Sequence, residues 1–385
     1  MTVGAPGPET PYDVIIPLYN GGQTIDVVLD GLKRQIRPPA RVIVVDDGSG
    51  DGAVERLRAS GSCEIFRNPN KGANAARQFG LSQSTAPYVA LLDQDDAPCP
   101  WHFDYLAAVL DADETCPAAL SNEYEGAVRE PKQAPSRRPI TVPMDPWGGF
   151  PFFSRNPSAL LIRRSALDEI GGWSSEYPGI ADLYTILRLS ERRPIAAVIG
   201  RSWWVVPRKD SYSTVLRRNN PSKYFDVRTR ATEAAVAQRM IYHPDNRAFL
   251  EQRLGLQAAL GRVLMVLEAE KDQTALRGAA LALEDSLEPE PINIRRQACR
   301  NLFWYLAPLF DDPEWAPNLV HCLVDAWPNE AVWSKNYFRL AVAKRMRMIE
   351  LLRYVALRPA WFGRWHLFAA GLAMHGRDWA RSMAP

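Results

Sequence analysis

The chain has 385 residues, with 46 Lys or Arg, 44 Asp or Glu and a net charge of +2 at pH 7. This length exceeds one typical domain and predicts two. The near balance of charge argues against a basic surface for nucleic acid, so no nucleic-acid partner is expected. The five cysteines are scattered and form no C-x-x-C pair, which argues against a disulfide framework or a zinc site and indicates a reducing compartment.

Targeting signals and membrane segments are not expected from the sequence. Met1–Pro11 lacks the apolar core of a secretory signal, and no uncharged apolar run is long enough to span a bilayer. We therefore expect a cytoplasmic protein without a transmembrane segment. The residues from Trp361 to Trp379 interleave aromatic and basic side chains, which favours a packed terminal helix and leaves peripheral membrane contact open. Homo-oligomer formation is also left open.

Four short apolar runs separated by helical patterns predict an α/β domain with a mostly parallel central sheet. Ligands of such sheets bind beyond the carboxyl ends of the strands. The runs are Asp13–Pro17, Arg41–Val45, Glu64–Phe66 and Tyr88–Leu92.

The sequence becomes irregular from Thr115 to Trp147 and then resumes its regular patterns. We expect a long loop there that acts as a lid. Asp182 is expected to cap a helix that runs through about Leu189. The other elements expected are a strand at 158–163, a short helix at 165–170, and a strand pair or one bent strand at 195–206.

Helical spacing dominates from about Lys223 onward, where glycines become few. This pattern predicts an all-α C-terminal domain of six or seven helices. The expected organisation is a flexible N-terminus at 1–11, a catalytic domain at 12–222 and the helical domain at 223–385.

Two of the apolar runs end in carboxylates. Asp46 and Asp47 follow one run, and Asp93, Asp95 and Asp96 follow another. Clustered carboxylates repel one another unless a cation or strong donors neutralise them. An Asp-x-Asp at the carboxyl end of a strand suits Mg²⁺ held together with a diphosphate, although alone it also fits a solvated acidic turn.

A dinucleotide-binding domain shares this alternation of strands and helices. Its G-x-G-x-x-G fingerprint is missing, because the first run continues as Pro17-Leu18-Tyr19-Asn20-Gly21-Gly22. The sequence therefore disfavours that class of site.

Four segments together resemble the inverting family-two glycosyltransferases, which have the GT-A fold and use a nucleotide-sugar donor. They occur in the family's order and at its spacing: Val14–Asn20, Val42–Ser49, Asn70–Gly80 and Val89–Asp96. A weaker fifth match, on the acceptor side of the family's site, runs from Gly171-Gly172-Trp173 to Leu189. The resemblance covers the predicted catalytic domain and says little about the helical remainder.

The resemblance implies which residues bind the nucleotide-sugar. Asp47 would accept a hydrogen bond from the base, and Arg77 would lie near the nucleotide. The implied donor-binding residues are Pro17, Tyr19, Asn20, Asp47, Arg77, Asp93, Gln94 and Asp95.

The same resemblance implies the metal and the base. Asp95 would bind Mg²⁺ or Mn²⁺ bridging the diphosphate, and Asp93 would face the ribose or the metal shell. Asp182 falls where the family places its general base. A diphosphate leaves readily only if its developing charge is neutralised, and a carboxylate on the opposite side of the anomeric carbon would take the acceptor's proton.

The chain departs from the family pattern at two positions. Ala181 stands where the family usually has Glu, which puts the base in doubt unless Glu176 substitutes for it. Asp210 stands where a histidine is often found, and it would be a harder oxygen ligand for the metal.

These residues predict a metal-dependent, inverting glycosyltransferase. The expected donor is a UDP-sugar, with a dTDP-sugar as the alternative because Asp47 would meet the same edge of either pyrimidine. The acceptor is an unknown small molecule, peptide or lipid-linked molecule, contacted by Glu130–Phe153 and the helical domain. Two alternatives stay open: a nucleotidyltransferase of related fold, disfavoured by the non-basic first loop, and a non-catalytic nucleotide-sugar-binding member, supported by Ala181.

Overall fold

The computed structural model describes residues 10–125, 140–149, 156–205, 215–216, 219–266 and 272–287. Contacts divide the chain into two compact units, Met1–Glu251 and Gln252–Pro385. The predicted boundary between residues 222 and 223 stays a prediction. Among the described helices, none combines the length and the apolar character that crossing a membrane requires.

Nine strands in the described residues form one mixed sheet. They are β1 (Tyr12–Leu18), β2 (Arg41–Asp46), β3 (Glu64–Arg67), β4 (Tyr88–Leu91), β5 (Ala97–Pro98), β6 (Ala118–Glu125), β7 (Thr141–Met144), β8 (Leu160–Arg163) and β9 (Ile195–Val205). Their order is β3-β2-β1-β4-β8-β6-β9-β5, and β7 also pairs with β9.

The described helices lie between and after these strands. They are α1 (Ile25–Lys33), α2 (Ala53–Ser60), α3 (Ala73–Gln83), α4 (His102–Ala112), α5 (Pro146–Gly149), α6 (Arg164–Glu169), α7 (Ala181–Leu189), α8 (Pro221–Tyr242), α9 (Arg247–Met265) and α10 (Gln273–Leu287). Short 3₁₀ turns occupy Pro157–Ala159 and Pro244–Asn246. A mixed α/β domain followed by a helical region is what the sequence predicted.

Strand directions bring six carboxyl ends to one edge of the sheet. β3, β2, β1 and β4 run parallel. β8 is antiparallel to both β4 and β6, and β9 is parallel to β6. The carboxyl ends of β1, β2, β3, β4, β6 and β9 therefore share an edge, and the two acid-tipped strands both end there.

The central strands are buried on both faces. Val14, Ile15 and Ile16 are each 0% exposed although successive side chains of a strand point to opposite faces. Such burial explains their continuous apolar sequence. Pro17 is accommodated in β1 because the pairing with β4 stops at Ile15 and Leu91. Pro17 lies beyond this pairing, so its missing N–H costs no hydrogen bond to β4.

Three expectations about local structure are wrong. The interval expected to be irregular contains β6, β7 and α5, because β6 depends on pairing with β8 and β9 rather than on a continuous apolar run. Ser158 belongs to a 3₁₀ turn, since the strand begins at Leu160. Asp182 does not cap its helix: α7 begins at Ala181, after Ile180, and places Asp182 within the first turn.

The segment 195–206 was expected as a strand pair or one bent strand. It is one strand, β9, whose register with β6 shifts on both sides of Asn122.

Gly80 of α3 packs directly on β1. A Cβ there would lie 2.4 Å from Ile15 Cγ2 and 3.1 Å from Val45 Cγ2. We expect Gly80→Ala to lower the free energy of unfolding, because overpacking costs about 1–3 kcal/mol and exceeds the ~1 kcal/mol that Ala gains over Gly in a helix. Urea denaturation measures the change.

Gly278 in α10 is the matched control, since nothing lies within 4 Å of the Cβ it would carry. Gly278→Ala is expected to raise the stability of its helix by up to about 1 kcal/mol. A stabilising Gly80→Ala would show that α3 can move away from β1, contrary to this packing.

Candidate active site

The loops after β1 and β2 are joined by hydrogen bonds at the carboxyl edge. The Asp47 N–H donates to the Leu18 carbonyl at 2.8 Å. The Asn20 N–H donates to Ser49 Oγ at 3.0 Å, and the Gly50 N–H donates to Asn20 Oδ1 at 2.9 Å. Asn20 has a positive φ of 48°, a conformation that asparagine tolerates better than most residues. The predicted donor residue Asn20 thus shapes the loop that it lies in.

Gln94 joins the β1 loop to the acidic turn, which we define as Asp93–Asp96. Its Oε1 accepts from the Tyr19 N–H at 2.8 Å, and its Nε2 donates to the Tyr19 carbonyl at 3.0 Å. A Cβ at Gly21 would lie 2.7 Å from Gln94 Oε1, so this contact needs glycine there. The Tyr19 residue remains 58% exposed. The structure gives Gln94 a bridging contact, and its predicted contact with the donor stays a prediction.

An open cleft of about 820 Å³ lies beside these loops. Asp51 accepts from the Gly22 N–H at 2.7 Å, and Arg56 donates to the Gly22 carbonyl at 2.7 Å, so both hold one wall. The lining residues are Tyr19, Asn20, Gly22, Gln23, Gly48, Gly50, Asp51 and Arg56. Of the predicted donor residues, Tyr19 and Asn20 line this cleft, whereas Pro17 is buried within β1.

The two acids after β2 have different partners. Asp46 accepts from the Ser49 N–H at 2.8 Å and pairs with Arg67 at 2.6 Å. Burial would raise its pKa, but the hydrogen bonds from Ser49, Gly48 and Arg67 outweigh burial and lower it.

Asp47 is held by the start of α3. Both carboxylate oxygens accept from the Gly72 N–H at 2.9 Å, and Oδ1 also accepts from Asn68 Nδ2 at 2.7 Å. Asp47 therefore joins the β2 loop to the segment preceding α3. Its hydrogen bond to a base stays a prediction.

The acidic turn brings three carboxylates together beyond β4. One oxygen from each of Asp93, Asp95 and Asp96 lies within 4.8 Å of the others. Asp96 is only 2% exposed, and burial, followed by the charge of Asp93, raises its pKa well above the usual range. Carboxylate oxygens are the ligands that Mg²⁺ and Mn²⁺ prefer, so the donor set fits a hard divalent cation.

Arg77 connects this turn to the acceptor-side loop. Its Nη2 forms an ion pair with Asp93 Oδ1, and its Nη1 donates to Asn74 Oδ1 at 3.1 Å. The guanidinium carbon lies 5.4 Å from the centroid of the Trp173 ring, within cation–π range. Arg77, predicted to lie near the nucleotide, is only 9% exposed.

Two residues of α3 hold the Gly171-Gly172-Trp173 loop. Gln78 Oε1 accepts from the Trp173 N–H at 2.7 Å, and Asn74 Oδ1 accepts from Trp173 Nε1 at 3.1 Å. Gly172 has a φ of 84°, and a Cβ there would lie 2.6 Å from Gln78 Oε1. Both features require glycine at this position.

Asp182 lies in the first turn of α7, partly buried, and its Oδ1 accepts from the Leu183 N–H at 2.8 Å. Burial raises the pKa of Asp182 to about 6, with Arg77 lowering it and Asp93 raising it. The charges of Arg77 and Asp93 act on Asp182, so the fold brings the predicted base within electrostatic reach of the predicted donor side. A pKa near 6 suits a general base at neutral pH.

Some of the predicted site residues lie outside the described residues. They are Asp210 and most of the expected acceptor-contacting loop, Glu130–Phe153. Ala181 is buried, and Glu176, the proposed substitute for the missing acid, is exposed to solvent.

Sequence reasoning missed the residues that hold the site from behind. Asn74 and Gln78 lie within the matched segment Asn70–Gly80 without an implied role, and Ser158 and His102 belong to none of the matched segments. All four act through contacts to residues far away in the chain, for which a single sequence contains no signal.

Comparison with known proteins agrees with this geometry. Residues 13–171 match the family described as Glycosyl transferase family 2. An uncharacterized glycosyltransferase of Haemophilus influenzae is 25% identical over 187 residues, 46% of this chain and 60% of that protein. The glycosyltransferase AglE of Haloferax volcanii is 38% identical over 92 residues, 22% of this chain and 30% of that protein. The chain thus spans less than two thirds of the length of these relatives.

The fold has counterparts among solved structures. The crystal structure of S. aureus TarS 1–349 in complex with UDP-GlcNAc has a TM-score of 0.53 at 16% identity, covering 83% of this chain and 92% of that one. The crystal structure of S. aureus TarS has a TM-score of 0.51 at 16% identity, covering 80% of this chain and 55% of that one. This likeness concerns the fold and confirms the predicted GT-A class. The match of residues 13–171 to the Glycosyl transferase family 2 model confirms the resemblance that the sequence predicted.

Proposed function

We propose that this chain transfers a sugar from a nucleotide-sugar to an acceptor, with a divalent cation and with inversion at the anomeric carbon. The single observation that carries the proposal is the arrangement at the carboxyl edge of the sheet. There Gln94 of the acidic turn bonds Tyr19 in the wall of the open cleft, and Asp182 is within electrostatic reach of Arg77 and Asp93.

The cleft and the loops around it are proposed to bind the donor. The exposed Tyr19 ring is available to stack on a base, and residues of the β1 and β2 loops line the cleft. A UDP-sugar is the proposed donor, with a dTDP-sugar as the alternative. UDP-GlcNAc, the ligand of the S. aureus structure, is the first compound to test.

The acidic turn is proposed to hold Mg²⁺ or Mn²⁺. Asp95, in its centre, is the main ligand, with Asp93 contributing to the metal shell or facing the ribose. Asp210 is retained as a proposed further ligand. When bound, such a cation neutralises the charge that develops on the departing diphosphate.

Asp182 is proposed to act as general base. Its carboxylate takes the proton from the acceptor's hydroxyl as that oxygen forms a bond to the anomeric carbon. The bond between this carbon and the diphosphate oxygen breaks at the same time, so the nucleoside diphosphate leaves from the opposite face. The acceptor is proposed to be a small molecule, a peptide or a lipid-linked molecule, and the cytoplasmic location remains a proposal.

A nucleotide-sugar panel with Mn²⁺ tests the proposed function directly. A ligand at about 100 times its Kd stabilises the native protein by about 2.7 kcal/mol, which a thermal shift detects. We expect a UDP-sugar to raise the melting temperature and to be turned over by transfer or slow hydrolysis. If no nucleotide-sugar in the panel shifts the melting temperature, the proposed function is wrong.

Asp182→Asn tests the base. General-base catalysis contributes about 10²–10⁴-fold, so we expect kcat to fall by that factor while donor binding persists. Asp168→Asn is the control, because the Asp168 side chain is 56% exposed and pairs with Arg164 of the same helix. Turnover by Asp182→Asn within threefold of the wild-type rate would remove Asp182 from this role.

The pH profile gives a second test of Asp182. The pKa of about 6 means that the carboxylate form is present above this pH and is lost below it. We expect kcat/KM to fall about tenfold per unit as the pH drops below about 6. The residual activity of Asp182→Asn should lack this acidic limb, and an identical limb in the variant would assign it to another group.

The raised pKa also predicts an effect on stability. An aspartate that titrates near 3.9 when unfolded and at about 6 when folded binds its proton more tightly in the native state. Its charged form therefore opposes folding at pH 7.5. We expect Asp182→Asn to raise the free energy of unfolding by about 1–3 kcal/mol at pH 7.5, with the gain disappearing near pH 4. Urea denaturation at both pH values measures this, and a loss of stability at pH 7.5 would contradict it.

A further inference from the structure

Ser158 uses all of its polar groups, and its hydroxyl holds the acidic turn through two hydrogen bonds. Its Oγ donates to Asp96 Oδ2 at 2.6 Å and accepts from the Asp93 N–H at 3.0 Å. Its N–H donates to Asn156 Oδ1 at 2.9 Å, and its carbonyl lies 3.0 Å from His102 Nε2. Ser158 is 1% exposed, so water does not replace these contacts.

His102 anchors Ser158 from behind. The Ser158 carbonyl can only accept a hydrogen bond, so His102 Nε2 carries the proton and Nδ1 is the acceptor. Nδ1 lies 2.7 Å from Ser202 Oγ and 3.4 Å from Ser121 Oγ. Burial lowers the pKa of His102 to about 3, which keeps the ring neutral.

The network links the turn to the body of the sheet. His102 begins α4, Ser121 lies on β6 and Ser202 lies on β9. These three residues, with Asp96 and Ser158, are each at most 2% exposed. Buried polar groups that are fully hydrogen-bonded favour a single arrangement, because each broken contact costs about 1–3 kcal/mol.

This hydrogen-bond network fixes the position of the carboxylates in the acidic turn. β4 ends at Leu91, so the turn is held by few backbone hydrogen bonds, including Leu92 N–H to the Ile15 carbonyl at 3.0 Å and Asp96 N–H to the Asp93 carbonyl at 3.2 Å. Ser158 binds both ends of the turn and thereby fixes Asp95 between them. Metal ligands must be held within about 0.5 Å of their working geometry.

We propose that Ser158, supported by His102, is a positioning residue that keeps the acidic turn in the shape that binds a divalent cation. The proposal rests on the proposed function for the identity of the ligand. Ser158 itself contacts neither cation nor donor, and it acts through Asp93 and Asp96.

The chain contains a matched control at the other edge of the sheet. Ser84 Oγ donates to Asp13 Oδ2 at 2.8 Å, and the two residues are 2% and 1% exposed. Ser84→Ala removes one buried Ser–Asp hydrogen bond, and Ser158→Ala removes one such bond together with the bond from the Asp93 N–H. Both variants are expected to lose melting temperature, so a loss of cation affinity in Ser158→Ala alone reports positioning rather than general stability.

The experiment measures Mn²⁺ binding to the full chain in the presence of UDP, by the loss of the free Mn²⁺ EPR signal. We expect Ser158→Ala to weaken Mn²⁺ binding at least tenfold and Ser84→Ala to change it less than twofold. Hydrogen exchange of the peptide spanning the turn should accelerate in Ser158→Ala alone. Ser158→Cys is the second variant, for use if the alanine variant does not fold. It keeps the size of serine and a weak donor, and it is expected to weaken Mn²⁺ binding at least threefold.

The outcomes separate the two proposals. If the wild type binds Mn²⁺ and the Ser158 variants bind it with the same affinity, the positioning role is overturned and the proposed function stays intact. Absence of Mn²⁺ binding by the wild type in the presence of UDP would overturn the metal-dependent function itself, and with it the role of Ser158.

Discussion

The ion pair between Arg77 and Asp93 is the contact on which the two sides of the site depend. Arg77 comes from α3 and is nearly buried, and Asp93 lies just beyond β4. The same guanidinium faces the Trp173 ring and influences Asp182. The Asp93 turn, the Trp173 loop and Asp182 are therefore linked through one positive charge.

Acids crowd at this edge of the sheet, and the fold offsets much of the cost with its own donors. Asp46 is paired with Arg67, Asp47 with the Gly72 N–H, Asp93 with Arg77, and Asp96 with Ser158. Each donor lies on a different element from the acid it serves. The negative charge is thus positioned by the scaffold before any cation arrives, which is how a preorganised site avoids reorganisation during the reaction.

The parts of the fold that could be predicted are those with a local signal. β1, β2 and β4 are continuous apolar runs because both of their faces are covered, and the acids that follow them are visible in the sequence. β6 had no such signal, because its polar Ser121 is satisfied by His102 and Ser202 rather than by solvent. Asp182 was expected to be a cap, because a helix start two residues earlier cannot be read from propensity alone.

By itself, the sequence predicted the resemblance to the family-two glycosyltransferases, the order of the first four strands, and which carboxylates follow which strands, since these depend on residue type and short spacing. Only the tertiary structure decided that Ser158 binds Asp96 from 62 residues away and that Gln78 binds the Trp173 loop across 95 residues. It also decided that Asp182 is buried near Arg77 and Asp93, and hence that its pKa is about 6. Burial and long-range contacts are properties of the folded chain, because they depend on where distant segments meet rather than on any local pattern.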